Sequence, residues 1–311
     1  MIYLFILFLP LAALAVYLLR PAPDAPAQPR VVRYQTDEAA ATGGIPRIIW
    51  SYWHSDEQPL VVQRCLANWA RHNAHYEIRM VSAATLDRYV PASERPRDFA
   101  RMSPARQSDW LRLYFLHRDG GIWLDASIIL TQSLDWLRDA QARDGAHYVG
   151  FYLDRYTTQA QRPIIDSWCM AAPPGSPFIA DWLAEFTDKA WALGDTAYLQ
   201  ALQASGEASK LLQNIASPAY MMIHVTAQRV LHQGGAYRLH LIRAEDSAYF
   251  YQVASHWRRG LFFATLLLRR APRTPPPLIK LRGGERRKLE PYLARSCHVR
   301  GSIAGQHLQT A

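Results

Sequence analysis

The chain has 311 residues, of which 50% are apolar and 12% aromatic, and its 35 basic and 26 acidic side chains give a formal net charge of +9. This composition excludes a disordered chain, which would be poor in aromatic residues, and 16 glycines exclude collagen. Three widely spaced cysteines, Cys65, Cys169 and Cys297, exclude a disulfide-stapled miniprotein.

The first segment, residues 1–19, contains no charged side chain and is mostly apolar. At about 1.5 Å per helical residue it would reach across the hydrocarbon core of a bilayer, which predicts a transmembrane anchor. A cleaved signal peptide and a buried helix are the alternatives. Because Arg20, Arg30 and Arg33 follow the segment, the positive-inside rule predicts a single-pass protein of the inner or plasma membrane, with its main domain in the cytoplasm. Residues 20–44, rich in proline and alanine, predict a linker.

From residue 45 onward, short apolar segments alternate with amphipathic ones, which predicts an α/β domain with a mostly parallel sheet over residues 45–256. The predicted strands are residues 47–52, 76–81, 122–130, 148–153 and 167–171. The predicted helices are residues 60–72, 84–90, 103–117 and 176–192, followed by a mostly helical region over residues 199–234. Two of these helices begin at a serine followed by a proline, the expected pattern at a helix N-terminus.

Polar side chains at two places suggest a site. Asp125 interrupts the apolar run of residues 122–130, and a buried carboxylate is costly unless it is paired or metal-bound. In open α/β sheets ligands bind beyond the carboxyl ends of strands, where a carboxylate can hold a cation that neutralises a diphosphate. A helix N-cap or a structural ion pair is the alternative. Asp109 and Arg112 share one helix face and form a second candidate, with a surface ion pair as the alternative.

Several blocks of sequence resemble the capsular polysaccharide synthesis proteins, relatives of the DxD-containing family 32 glycosyltransferases. The opening block is IPRIIWSYW, residues 45–53, and the core block is Ser108-Asp109-x-x-Arg112 followed by GGIWLDAS, residues 120–127. Further similar blocks are IDSW at residues 165–168, GSPF at residues 175–178 and PLIKL at residues 277–281. The ordered set spans residues 45–281 and is fairly specific.

The resemblance implies a GT-A type, Rossmann-like domain that binds a nucleotide-sugar. It implies transfer of a sugar, with retention, from a nucleotide-diphosphate donor to a glycan or lipid-linked acceptor in surface or capsular polysaccharide biosynthesis. The implied catalytic residues are Asp109, Arg112 and Asp125. The implied donor-binding residues are Ile49, Trp50, Asp109, Arg112, Gly121, Asp125, Ser127 and Lys280. Core packing is the alternative for Trp50.

One residue, Ser127, weakens the prediction of a metal site. Ser127 stands where DxD families carry a second aspartate, and serine is a poorer ligand for Mg²⁺ or Mn²⁺ than a carboxylate. A divalent cation would therefore rest on Asp125, with another acidic group such as Asp154 completing the site. An inverting reaction would need a base, for which His224 and Asp154 are candidates.

Two other functions stay open. A non-catalytic nucleotide-sugar- or glycan-binding component of an assembly complex is compatible with Ser127. A glycan hydrolase is disfavoured because no pair of carboxylates stands out.

The basic charge is concentrated in residues 257–311, which we expect to complete the domain. Residues 257–300 carry 12 basic and 2 acidic side chains, and they include the apolar run GLFFATLLL at residues 260–268. That run is too short to span a bilayer, and it predicts either a helix at the membrane interface or a buried helix with solvated charges. Nucleic acid is not a predicted partner, because the basic residues follow no RNA-binding or helix-turn-helix pattern.

Overall fold

The computed structural model describes residues 15–35 and 39–309. Its strands in those residues are β1 (Val31–Gln35), β2 (Ile48–Tyr52), β3 (Glu77–Val81), β4 (Gly121–Leu124), β5 (Ile128–Leu130), β6 (Tyr148–Tyr152), β7 (Ile165–Ala172), β8 (Arg238–Arg243) and β9 (Leu278–Lys280). The helices of the first half are α1 (Leu60–His72), α2 (Leu86–Tyr89), α3 (Pro104–Arg118) and α4 (Asp135–Asp144). The helices of the second half are α5 (Pro177–Ala184), which continues as a π-helix over Glu185–Trp191, α6 (Asp195–Ala204), α7 (Ala208–Leu212), α8 (Met222–Gln233), α9 (Phe250–Ala254), α10 (Arg259–Leu267), α11 (Gly283–Ala294) and α12 (Ile303–His307).

The main sheet has seven strands in the order β1-β8-β6-β7-β4-β2-β3, and β5 pairs with β9 in a separate two-stranded sheet. Strand β2 runs parallel to β3 and β4, and β6 runs parallel to β8. The pairs β1–β8, β4–β7 and β6–β7 are antiparallel. The predicted α/β class is therefore confirmed, but the prediction of a mostly parallel sheet is wrong. The error arises at β7, since an apolar strand sequence indicates burial on both faces and not the direction of the chain.

Helices cover the central strands of the sheet and bury them. Helix α3 packs against β2, β4 and β7, while α4 packs against β6, β7 and β8. All four residues of β4 and all eight of β7 are buried. Ser103 begins α3 as its N-cap, where its hydroxyl accepts a hydrogen bond from the Arg106 amide at 3.3 Å. The site described below therefore lies on strands that the core holds in place.

The predicted transmembrane helix requires correction. In residues 15–35 and 39–309 no helix is both long enough and apolar enough to cross a membrane. Residues 1–14 of the predicted span lie outside the described residues. Residues 15–19 are helical and lie against α10, where the Tyr17 hydroxyl is 3.1 Å from Thr265 Oγ1 and the Arg269 guanidinium is 4.4 Å from the Tyr17 ring centroid. This end of the predicted anchor therefore contacts the folded domain.

The two segments that flank the predicted domain also belong to the fold. Residues 20–44, predicted as a linker, contain β1, which forms an edge of the main sheet. In the basic C-terminal segment, α10 buries Phe262, Leu266 and Leu267. These apolar side chains lie among the core residues. Of the two alternatives for this segment, a helix at the membrane interface or a buried helix, the structure has the buried helix.

Helix α11 is fixed to α1 by a carboxylate. The α1 N-cap is Pro59, which provides no side-chain hydrogen bond. Instead, the Glu290 carboxylate of α11 accepts hydrogen bonds from the backbone amides of Leu60 at 2.5 Å and Val61 at 3.1 Å. A carboxylate at this position also interacts favourably with the helix dipole. The contact matters for the site because the first turns of α11 carry arginines that line it.

Candidate active site

A cavity of about 660 Å³ lies at one edge of the main sheet. Residues at or just beyond the carboxyl ends of β2 and β4 line it, as expected for a ligand site in an α/β sheet. Because β7 is antiparallel to β4, the amino end of β7 reaches the same edge. The remaining walls come from α3, α8, β9 and the start of α11.

Asp125 lies directly after β4 and is held by three donors. Lys280 Nζ is 2.7 Å from Oδ2, Arg112 Nη2 is 3.4 Å from Oδ1, and the indole of Trp123 donates to Oδ1 at 3.1 Å. The Asp125 side chain is 27% exposed and faces the cavity. The carboxylate is therefore paired with two cations at the predicted site, and it is not a helix N-cap.

Arg112 is fixed from both sides in a nearly buried position. Its guanidinium donates to the carbonyl and hydroxyl oxygens of Ser108 at 3.2 and 3.0 Å, and to those of Ser167 at 2.7 and 2.6 Å. Its Nη2 is also 3.2 Å from Asp109 Oδ1, and the side chain is only 7% exposed. The predicted pair of Asp109 and Arg112 is thus a buried element of the cavity, and the surface alternative is excluded.

The two carboxylates have opposite pKa shifts. Burial raises the pKa of Asp109 above its usual value, against the opposing charge of Arg112. Burial alone would also raise the pKa of Asp125, but the charges of Lys280 and Arg112 outweigh it and hold that pKa below its usual value. Asp125 is therefore an anion at neutral pH, and its charge is balanced locally.

The residues present do not fit a divalent cation. Mg²⁺ is usually held by one or two carboxylates together with substrate phosphates, and in the described part of the chain no group of three or more His, Cys, Asp or Glu side chains could hold a metal ion. Asp125 would therefore have to be the main protein ligand. Both oxygens of Asp125 already contact cationic partners. The Ser127 hydroxyl donates its hydrogen to the Leu281 carbonyl at 3.1 Å, and serine brings no negative charge to a cation. Asp154 does not line the cavity and pairs with Arg243 at 2.6 Å.

Three predicted donor-binding residues, Ile49, Trp50 and Gly121, do not line the cavity. Ile49 and Trp50 are completely buried, and the Trp50 ring stacks on Phe115 with centroids 4.2 Å apart. The Trp50 indole donates to the Gly120 carbonyl at 3.0 Å. Their expected place in a nucleoside pocket is therefore corrected to the core, because β2 lies inside the sheet with both faces covered.

Gly121 is also structural. Its φ is +104°, and an added Cβ would lie 2.8 Å from the Ile48 carbonyl oxygen. Only glycine fits the close approach of β4 to β2 at this point. Asp109, Arg112, Asp125, Ser127 and Lys280 are the predicted site residues that do line the cavity.

One carboxylate of the cavity, Asp166, is not among the residues predicted from the sequence. Asp166 lies in β7, is 5% exposed and accepts hydrogen bonds from the Ser167 amide at 2.8 Å and from the Trp168 indole. Its Oδ1 is 3.1 Å from His224 Nε2. The signal that singled out Asp125, a carboxylate within an apolar strand, applies equally to Asp166.

His224 is poorly placed to act as a base. Its Nε2 faces Asp166, and its Nδ1 is buried without a hydrogen-bond partner among the described residues. Both ring nitrogens are thus turned toward the protein, which favours a structural role for the imidazole.

Basic side chains of α11 and a nearby loop form the outer wall. The guanidinium groups of Arg155 and Arg282 lie 4.7 and 5.0 Å from the ring centroid of Trp257. Arg286 lies 4.5 Å from the ring centroid of Trp53. A guanidinium over an aromatic ring is attracted to the ring face, which holds each of these arginines in place. From the sequence, Arg282 and Arg286 are expected only as part of the basic segment, and Arg155 is not singled out.

Comparisons with known proteins agree with the sequence blocks. The family model for capsular polysaccharide synthesis protein matches residues 29–192. The O-glycosyltransferase braB of Annulohypoxylon truncatum is 28% identical over 163 residues, which cover 46% of this chain and 37% of that protein. The O-glycosyltransferase PaGT of Phomopsis amygdali is 29% identical over 136 residues, covering 39% and 34%. The matched region is thus little more than a third of the length of these curated relatives.

Solved structures show a weaker likeness. GlyE, a glycosyltransferase of Streptococcus pneumoniae TIGR4, is 10% identical with a TM-score of 0.38, over 83% of this chain and 65% of that one. The galactosyltransferase LgtC is 13% identical with a TM-score of 0.38, over 81% and 96%. No conclusion rests on likeness at this level.

The family model, in contrast, covers more than half of the chain and includes Asp109, Arg112, Asp125 and Ser127. The chain therefore belongs to the capsular polysaccharide synthesis protein family.

Proposed function

We propose that this protein is a glycosyltransferase that transfers a sugar from a nucleotide-diphosphate donor to a glycan or lipid-linked acceptor in surface or capsular polysaccharide biosynthesis. The observation that carries the proposal is the Asp125 carboxylate between Lys280 and Arg112 in a cavity at the carboxyl ends of β2 and β4. The names of the two curated relatives support the same activity. A GT-A type arrangement and a relation to family 32 are part of the proposal.

The chemistry follows from the leaving group. When the bond between the anomeric carbon and the diphosphate oxygen breaks, negative charge develops on the diphosphate. Fixed basic groups stabilise that charge as it forms, and an arginine fork can donate two parallel hydrogen bonds to phosphate oxygens. Lys280, Arg112 and Arg286 line the cavity in which this would happen.

We propose retention of anomeric configuration. In a retaining reaction the leaving phosphate can take the proton of the acceptor, so the protein needs no base of its own. The engagement of His224 with Asp166 supports this choice, because no other predicted base lines the cavity. The predicted location on the cytoplasmic side of the membrane stays a prediction.

A panel of nucleotide-sugars tests the function. Purified protein is incubated with each donor, with and without acceptor extracts, and release of the nucleoside diphosphate is measured. We expect release from at least one donor, stimulated by acceptor, and loss of this release in Asp125→Ala. Donor binding without turnover would instead favour the non-catalytic binding component. Absence of both binding and turnover would contradict the proposal.

A further inference from the structure

We infer that Lys280 and the cavity arginines without an acidic partner supply the positive charge that offsets the donor diphosphate, so that the protein binds its donor without a divalent cation. This inference rests on the proposed function and names how the site holds its substrate. It differs from the expectation for DxD-containing relatives, in which carboxylates hold a metal ion.

The charge of the cavity supports the inference. Its lining contains six basic side chains and three acidic ones. The basic side chains are Arg112, Arg155, Lys280, Arg282, Arg286 and Arg287, and the acidic ones are Asp109, Asp125 and Asp166. A cation site has the opposite balance, whereas an excess of basic groups fits a polyanion such as a diphosphate.

Some of this charge is not neutralised by the protein itself. Within residues 15–35 and 39–309, Arg155, Arg286 and Arg287 form no ion pair with a carboxylate. Each lines the cavity, so each is available to an anionic ligand. Asp125 and Asp109, in contrast, are balanced by Lys280 and Arg112.

Lys280 is held rigidly for this task. It lies on β9, where its amide donates to the Ala248 carbonyl at 3.0 Å and its carbonyl accepts from Gln252 Nε2 at 2.7 Å. Its side chain is 10% exposed, and Asp125 fixes the ammonium at 2.7 Å. An ammonium has three donors, so two remain for phosphate oxygens once Asp125 has taken one. Such preorganised charge needs no rearrangement when the leaving group forms.

Ser127 helps to fix the backbone next to Lys280. Its carbonyl accepts from the Leu281 amide at 3.1 Å, and its hydroxyl donates to the Leu281 carbonyl at 3.1 Å. These two bonds fix the residue that follows Lys280. Serine at this position therefore provides contacts to the residue that follows β9 and no carboxylate for a metal ion.

Calorimetric titration tests the inference on the full chain. Uridine, guanosine, adenosine and cytidine diphosphates are titrated into the protein with EDTA and, separately, with MnCl₂. We expect at least one of them to bind with the same affinity, within about threefold, under both conditions. Lys280→Met should weaken that binding by about 10- to 100-fold in both, the range expected for a lost hydrogen bond between charged groups.

Two variants serve as controls. Lys280→Arg keeps the charge and should keep binding in EDTA, which separates loss of charge from loss of folding. Lys288→Met removes a lysine of α11 that lines a different cavity, and it should bind as the unchanged protein does.

The possible results distinguish a failure of the inference from a failure of the proposed function. Binding that requires Mn²⁺, or that survives Lys280→Met, would overturn the inference while leaving a nucleotide-sugar enzyme in place. Absence of binding by every nucleoside diphosphate and nucleotide-sugar in both conditions would overturn the proposed function itself.

Discussion

Replacing Arg112 with methionine is expected to lower the free energy of unfolding by about 3–5 kcal/mol, the usual cost of removing one partner from a buried ion pair. Methionine cannot replace the four hydrogen bonds to Ser108 and Ser167. It would also leave Asp109, whose side chain is 15% exposed, without its nearest cation. The loss is measured by urea denaturation at pH 7.

A double variant isolates the cause of that loss. If the uncompensated carboxylate is responsible, Arg112→Met combined with Asp109→Asn should be more stable than Arg112→Met alone. Arg101→Met is the matched control, because Arg101 forms the same i, i+3 pair with Asp98 while 85% exposed. It should change stability by no more than about 0.5 kcal/mol. A loss below about 1 kcal/mol in Arg112→Met would contradict the buried pair.

The second large effect is expected on catalysis, in Asp125→Asn. The amide has no charge with which to hold the ammonium of Lys280, and Arg112 loses one of its two carboxylate partners. Misplacing a positioned group by about 1 Å can cost about 100-fold in rate, so we expect kcat to fall about 100- to 1,000-fold. The measurement is the rate of nucleoside diphosphate release from the donor that the panel identifies.

Asp87→Asn is the control for this effect. Asp87 also pairs with an arginine, but its side chain is 84% exposed and does not line the cavity. Its rate should equal that of the unchanged protein. A rate within about threefold in Asp125→Asn would show that Asp125 does not hold the catalytic cations.

The lowered pKa of Asp125 makes its contribution to stability depend on pH. Lys280 and Arg112 lower the pKa in the folded state below the usual value of 3.8, so the folded chain releases this proton more readily than the unfolded chain. The resulting stability is present above pH 3.8 and is lost as pH falls through the folded pKa. The stability advantage over Asp125→Asn should therefore shrink below that pH.

Several residues of the cavity could be predicted from the sequence, whereas the direction of the strands could not. Asp125 could be identified because a carboxylate in an apolar strand needs a partner, and Asp109 and Arg112 because their spacing places them on one helix face. The direction of β7 could not be predicted, because apolar composition carries no information about neighbouring strands. Residues 15–19 show a similar limit, since hydropathy does not distinguish a bilayer from packing against a protein surface such as that of α10.

The remaining differences depend on contacts between distant parts of the chain. Trp50 and Gly121 belong to family-like blocks, but the helices on both faces of the sheet place them in the core. Asp166 and His224 meet although they are 58 positions apart, which no local pattern reveals. Arg286 reaches the cavity because Glu290 ties α11 to α1.

The most direct test of the central claim is a crystal structure of the protein with the nucleoside diphosphate that it binds, grown in the presence of EDTA. We expect the diphosphate to lie in the cavity beyond β2 and β4, with phosphate oxygens within hydrogen-bond distance of Lys280 Nζ and of at least one unpaired cavity arginine, Arg155, Arg286 or Arg287. A diphosphate bound outside this cavity, or one that contacts neither Lys280 nor any of these arginines, would contradict the inference.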